Sequence, residues 1–160
     1  MPLFGRRTER QVDVALLIVR LALGIIFIAH GGQKLFVYGL SGVSGSFGQM
    51  GIPMGHVVGP MVALLEFGAG IAVILGLLTR LAALGLAINM LGAIWFVHLE
   101  NGFFLPRGFE FNLALIGLAF ALVAAGAGRY SLDSMLSRRR HHEYLDSDLE
   151  HHDKSRIHVA

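Results

Sequence analysis

Four apolar stretches, each close to membrane-crossing length, fill most of this 160-residue chain: Val12–Phe36, Val57–Leu78, Leu81–His98 and Phe109–Ala127. A helix needs about 20 apolar residues to cross ~30 Å of hydrocarbon, with a working range of about 17–25. All four qualify, the third and fourth near the short end. With 54% hydrophobic residues and a mean hydropathy of +0.64, too little polar surface remains to face water. The expected fold is all-α: a four-helix transmembrane bundle over residues 12–133, preceded by a short segment at 1–11 and followed by a polar tail at 134–160. Lipid is its first partner.

The length permits one domain. Absence of cysteine excludes disulfide exchange, thiolate zinc sites and cysteine-ligated iron–sulfur clusters. Any redox role must therefore use a bound cofactor, a quinone or a partner chain. The formal charge of +2 comes from basic residues beside the apolar stretches, so they read as topology signals and no nucleic-acid partner is expected. Arg6, Arg7, Arg10, Arg80, Arg129 and Arg138–Arg140 fall on one side, Lys34 and Arg107 on the other. This bias places both termini in the cytoplasm, in agreement with an even number of spans. The first apolar run is too long for a cleavable signal, is interrupted by Arg20 and lacks an Ala-x-Ala exit.

Thr79-Arg80 forces the second and third spans into a tight hairpin. The first connection, Val37–Gly55, carries glycine at 39, 42, 45, 48, 51 and 55 and is expected to be a flexible extracytoplasmic loop, with a lid over an outward cavity as the sharper reading. Pro53 and Pro60 are placed before and within the first turn of the next helix. In the tail, His141, His142, His151 and His152 form two pairs of a kind that can gather a divalent metal. A solvated, disordered tail is the expectation, and no metal site is assigned.

Helices in lipid pack closely where small residues lie at their interfaces. Gly24 and Gly31 share a stripe with Phe27; Gly68, Ala72 and Gly76 mark the second span; Ala83 and Ala87 mark the third. Gly117, Ala121 and Ala125 mark the fourth. These residues are expected to face the bundle, and Glu110 shares the fourth stripe.

A charge near the bilayer centre is costly, so intramembrane polar residues tend to face inward and pair. At ~1.5 Å per residue, Arg20 and Asn89 lie at similar depth with Glu66 somewhat above. A buried cluster of Arg20, Glu66 and Asn89 is therefore expected, either as a clamp on helix register or as part of a site. Nearer the outer surface, His30, Gln33 and Lys34 occupy one flank of the first helix, while His98 and Glu110 stand at the ends of the third and fourth spans. With Glu66 they form a candidate pocket for a quinone headgroup or a proton relay. Each also has a plainer role: Lys34 can snorkel, and Glu110 can offset a helix N-terminal dipole. The nine residues between Asn89 and His98 put them about half a turn out of phase, so both face inward only if the helix is irregular.

The segment Arg20-Leu-Ala-Leu-Gly-Ile-Ile-Phe27-Ile-Ala-His30-Gly31-Gly-Gln-Lys34-Leu35-Phe36 resembles the first-helix signature of the DoxX family of small bacterial membrane proteins. The likeness continues through Phe47-Gly-Gln-Met50-Gly51-Ile52-Pro53, Leu65-Glu66-Phe-Gly68, Leu75-Gly76-Leu-Leu-Thr79-Arg80, Val97-His98-Leu-Glu-Asn101-Gly102, Gly108-Phe-Glu110 and Gly128-Arg129-Tyr130-Ser131-Leu132-Asp133. It covers about residues 15–133. The resemblance implies a four-span bundle in the bacterial inner membrane and a link to subunits of terminal quinol oxidase or thiosulfate:quinone oxidoreductase. It also implies possible assembly with sulfurtransferase and superoxide dismutase partners in oxidative-stress defence.

Three readings follow. The favoured one is a subunit or scaffold of a respiratory or thiol-redox membrane complex that contacts quinone and has no covalent cofactor. A homo-oligomeric small-solute transporter or channel, or a non-catalytic membrane protein that docks partners, would use the same residues differently.

Overall fold

The computed structural model describes residues 8–137, and every regular element among them is helical. Helix α1 (Glu9–Gly32) begins at Thr8, whose backbone N–H donates to the Gln11 side chain at 3.1 Å. Its axis continues into a π-helical turn, Gln33–Tyr38, before Gly39, at φ +70°, starts α2 (Gly39–Gln49). Helix α3 (Gly55–Leu75) ends at Gly76, where the Gly76 and Leu77 N–H groups bond back to the Val73 and Ala72 carbonyls. Three residues later α4 (Thr79–Ala93) starts, followed by a π turn, Ile94–His98, and a 3-10 turn, Leu99–Asn101. Helix α5 (Glu110–Ala125) closes the series.

The runs Glu9–Gln49, Gly55–Leu75 and Thr79–Asn101 are long and apolar enough to cross a membrane. Helix α5, with 16 residues, is shorter, about 24 Å. Helix α1 packs against α3 and α5, and α4 against the same two. The shared core includes Leu23, Phe27, Val73, Leu86, Leu115 and Leu122. The start of α1, the α3–α4 turn and the segment after α5 lie together at one end, the terminal end; α2 and the 102–109 loop lie at the other, the far end.

The connection expected to be a flexible loop is instead largely α2, packed on the first turns of α3. Glycine makes that contact possible: a Cβ on Gly55 would meet the Phe47 and Gly48 backbone, and one on Gly59 the Val43 carbonyl. Pro60 lies in the second turn of α3 rather than the first. Its missing N–H frees the His56 carbonyl, which accepts from the Ser44 hydroxyl of α2 at 3.2 Å. The Ser44 hydroxyl is also 2.8 Å from the Leu40 carbonyl, so its proton is shared between the two.

Gly24, Gly31 and Phe27 are buried as expected, the two glycines letting α1 approach Gly70, Ile74 and Phe67 of α3. Ala83 and Ala87 are buried too. The stripe on α5 is different. Gly117 and Ala121 face outward, and α5 buries Asn112, Leu115, Ile116, Ala119 and Leu122 instead. Gly68 of α3 likewise faces open space. Both helices are apolar nearly all round, so a small stripe alone does not settle which face turns in: α5 buries larger side chains, and α3 a different small face of Gly59, Ala63, Ala69 and Gly70. The His-rich tail lies outside the described residues from 138 onward; residues 132–137 form a short helical segment.

Candidate functional site

At mid-height, where α1 gives way to its π turn, Lys34 Nζ donates to Glu66 Oε2 at 2.5 Å. Asn89 Nδ2 donates to the other carboxylate oxygen at 2.9 Å. Three helical elements thus meet on one carboxylate whose side chain is 4% exposed. Glu66 and Asn89 are brought together, whereas Arg20, expected beside them, is placed elsewhere.

Arg20, 1% exposed, gives its donors to four carbonyls at the terminal end. Nε bonds Val73 at 2.8 Å, Nη2 bonds Ile74 at 2.5 Å, and Nη1 bonds Ala127 at 3.0 Å and Tyr130 at 2.6 Å. Side chains on a helix lean toward its N-terminus. Arg20 is therefore aimed away from Glu66, while Lys34, beyond Glu66 along α1, is aimed down onto it. Arg20 also lies level with Val73 and Ile74, some 11–12 Å along α3 from Glu66 at ~1.5 Å per residue. It serves as a cap on carbonyls at the end of α3 and in the turn after α5.

Two acidic residues complete this terminal clamp: Asp133, the last residue of the Gly128–Asp133 motif, and Asp13, which was not singled out in the sequence. Asp133 accepts from the Leu78 and Thr79 N–H groups at 2.8 and 3.0 Å, capping α4 from a distance of 54 residues in sequence. Buried Asp13 accepts from the Arg129 N–H at 2.8 Å. The Gly128–Asp133 motif thus has a structural role: it is the piece that Arg20, Asp13 and the α3–α4 turn hold in place. Hydrophobic periodicity carries no trace of these long-range backbone contacts.

The Lys34–Glu66–Asn89 cluster forms part of the wall of an apolar cavity of about 720 Å³. Phe27 and Leu115 line it at core level, and Phe47, Met50, Ile52, Leu105 and Pro106 at the far end. His30, His98 and Asn112 add polar atoms to its wall. His98 Nδ1 lies 2.8 Å from the Arg107 carbonyl, which only accepts, so Nδ1 carries the proton and Nε2 keeps its lone pair when the ring is neutral. Asn112 Nδ2 makes only a long contact of 3.4 Å with Met90 Sδ.

The two π turns explain how these residues converge. A π turn accommodates one extra residue, turning the following side chains by about 100° relative to a regular helix. The turn at Ile94–His98 reduces the half-turn mismatch between Asn89 and His98 to about 80°, and both line the cavity. The turn at Gln33–Tyr38 begins beside Lys34, which is partly buried while neighbouring Gln33 is exposed and away from the cavity. Glu110 is also outside the cavity lining. Its Oε1 accepts from the Leu105 N–H at 2.8 Å, bracing the loop that precedes its own helix. His30 reaches the cavity wall while remaining exposed on its outer side.

The DoxX family model matches residues 15–99, which carry α1 to the second π turn and the whole Lys34–Glu66–Asn89 cluster. The chain belongs to the DoxX family. An uncharacterised membrane protein of Mycobacterium tuberculosis is 35% identical over 150 residues, covering 86% of this chain and 91% of the relative. Inner membrane protein YqjF of Escherichia coli is 35% identical over 132 residues, covering 82% and 98%. CatD of Bacillus subtilis, named as a candidate oxidoreductase, is 30% identical over 117 residues, covering 73% and 84%. No solved structure matches the chain. This DoxX protein is therefore a membrane protein, as its apolar helices require.

Proposed function

We propose that this DoxX protein is a subunit or scaffold of a respiratory or thiol-redox complex in the bacterial inner membrane, and that it holds a quinone headgroup in the cavity. The observation that carries the reading is the mainly apolar cavity of about 720 Å³ with a buried ammonium–carboxylate–amide cluster on its wall. Sites for small organic ligands have this character, with roughly 300–1,000 Å³ of apolar space and a few convergent polar groups. Lys34 commits one of its three N–H donors to Glu66, leaving donors for a quinone carbonyl. Asn89 retains a carbonyl oxygen that can accept from the hydroxyl of the reduced form. His98 Nε2 offers a second acceptor near the far end. The chain has no thiol of its own, so electrons would pass to or from a partner protein. The relative named as a candidate oxidoreductase supports this direction.

In this reading α1, α3, α4 and α5 form a four-span bundle, with the short α5 spanning where the loops at its ends lie in the headgroup region. The asymmetric arginines orient the terminal end toward the cytoplasm. Binding is favoured over transport by what lies between Glu66 and Arg20. There the core is packed with Leu23, Val73, Leu86 and Leu122, each fully buried, and offers no polar path.

Purification in mild detergent, lipid extraction and mass spectrometry test the proposal. Quinone is expected to accompany the protein in near-stoichiometric amount and to be depleted from Lys34→Met. Quinone no higher than in an unrelated membrane protein from the same cells would overturn it.

A further inference from the structure

The cavity is lined by apolar side chains at its far end and is exposed along one side. Phe47, Met50 and Ile52 from the α2 region, with Leu105 and Pro106, line the end nearest α2 and the 102–109 loop with apolar side chains. Along the seam between α3 and α4, several residues line the cavity and are exposed on the outer surface at the same time. Met61 is 62% exposed, Leu65 37%, Ile88 60% and Phe96 45%. Met61 and Leu65 are four residues apart on α3, and Ile88 and Gly92 four apart on α4, so each pair forms one edge of the same opening. Near the middle of the seam the helices touch, with a Cβ on Gly85 only 3.3 Å from the Leu65 side chain. Seven residues further along α4, a Cβ on Gly92 would meet nothing within 4 Å.

We infer that this seam is a lateral doorway to the bilayer, and that the ligand is an isoprenoid-tailed quinone whose chain lies between Met61, Leu65, Ile88 and Gly92 while its head reaches Lys34. The inference rests on the quinone reading and adds the route and the substrate class. An apolar groove is stable facing lipid, and the seam side chains Met61, Leu65, Ile88 and Phe96 offer a polar solute no hydrogen-bonding group. A tail left in hydrocarbon loses no water on binding. The seam therefore acts through shape: it lets a tethered head enter while the chain remains among lipid tails.

The test compares a tailed menaquinone with menadione, which has the same ring system and no chain. Both are titrated in one detergent against wild type, Gly92→Leu and Ile88→Trp, with Gly117→Leu on the outward face of α5 as control. Bound quinone is measured after rapid gel filtration and extraction. Both seam variants should weaken menaquinone binding at least tenfold and leave menadione binding within about twofold, and the control should change neither. Unchanged menaquinone binding in both seam variants, or equal loss of the two probes, overturns the doorway. Failure of both probes to bind wild type overturns the headgroup reading and the doorway with it.

Discussion

Gly76 leaves open the space that the Arg20 guanidinium fills. A Cβ at position 76 would lie 2.7 Å from Arg20 Nη2 and 2.8 Å from Cζ, and would collide with the Ser131 side chain. The same glycine has φ +69°, a conformation costing most L-residues about 1–2 kcal/mol. One residue thus ends α3, makes room for the arginine that caps it, and lets the segment after α5 close over both.

Gly76→Ala should accordingly destabilise the protein by more than the ~1–2 kcal/mol of the backbone term alone. Gly68→Ala, on the same helix but facing open space, should be neutral or stabilising by up to ~1 kcal/mol. Thermal unfolding of both in one detergent checks this. Equal melting temperatures would remove the cradle from the account.

Arg20 and Glu66 share no partner, so their losses should add. Arg20→Met strands the Ile74, Ala127 and Tyr130 carbonyls, each costing up to ~1–3 kcal/mol if left unpaired, while Val73 keeps the Gly76 N–H, and Glu66→Gln disturbs a separate cluster. The double variant should match the sum of the singles within ~0.5 kcal/mol. Lys34→Met combined with Glu66→Gln should instead deviate from additivity by ~0.5–3 kcal/mol. Chemical denaturation in micelles gives both cycles, and strong coupling of Arg20 to Glu66 would contradict the geometry.

Helix existence and type were legible because membrane-length apolar runs leave few alternatives. The polar residues of the cavity wall were legible too, since His30, Lys34, Glu66, Asn89 and His98 are conspicuous in such surroundings. Their pairing was not. A depth estimate from segment ends put Arg20 near Glu66, whereas the lean of helical side chains sends Arg20 and Lys34 both toward the start of α1. The π turns beside Lys34 and before His98 were also hidden, because an inserted residue is set by tertiary packing and leaves the composition unchanged. Helix α2 was read as a loop because glycine suppresses helix formation in isolation. Its stability comes from docking on α3, where Gly55 and Gly59 let the backbones approach.

The Ser44–His56 contact predicts a specific coupling between α2 and α3. Ser44→Ala should cost about 0.5–1.5 kcal/mol by leaving the His56 carbonyl without its hydroxyl donor. In a Pro60→Ala background the restored backbone N–H supplies that carbonyl within α3, so the same serine change should cost less. Four variants measured by thermal unfolding decide it. An identical serine effect in both backgrounds would show that the hydroxyl is not compensating for the proline.

Glu110 and Lys34 separate a braced loop from the proposed ligand site. Glu110 Oε1 accepts one backbone bond outside the cavity, and a glutamine oxygen can accept the same bond. Glu110→Gln should therefore lose only the charge–dipole contribution at the start of α5, about 0.3–1 kcal/mol, and retain quinone at the wild-type level. Lys34→Met removes the donor on the cavity wall and leaves Glu66 with Asn89 alone. It should release quinone, and its abundance should fall less than its occupancy because Lys34 remains partly exposed. Quinone per protein, measured by extraction from monodisperse samples, distinguishes the two positions. Loss of quinone from Glu110→Gln with retention in Lys34→Met would move the site away from the Glu66 cluster and toward the far-end loop.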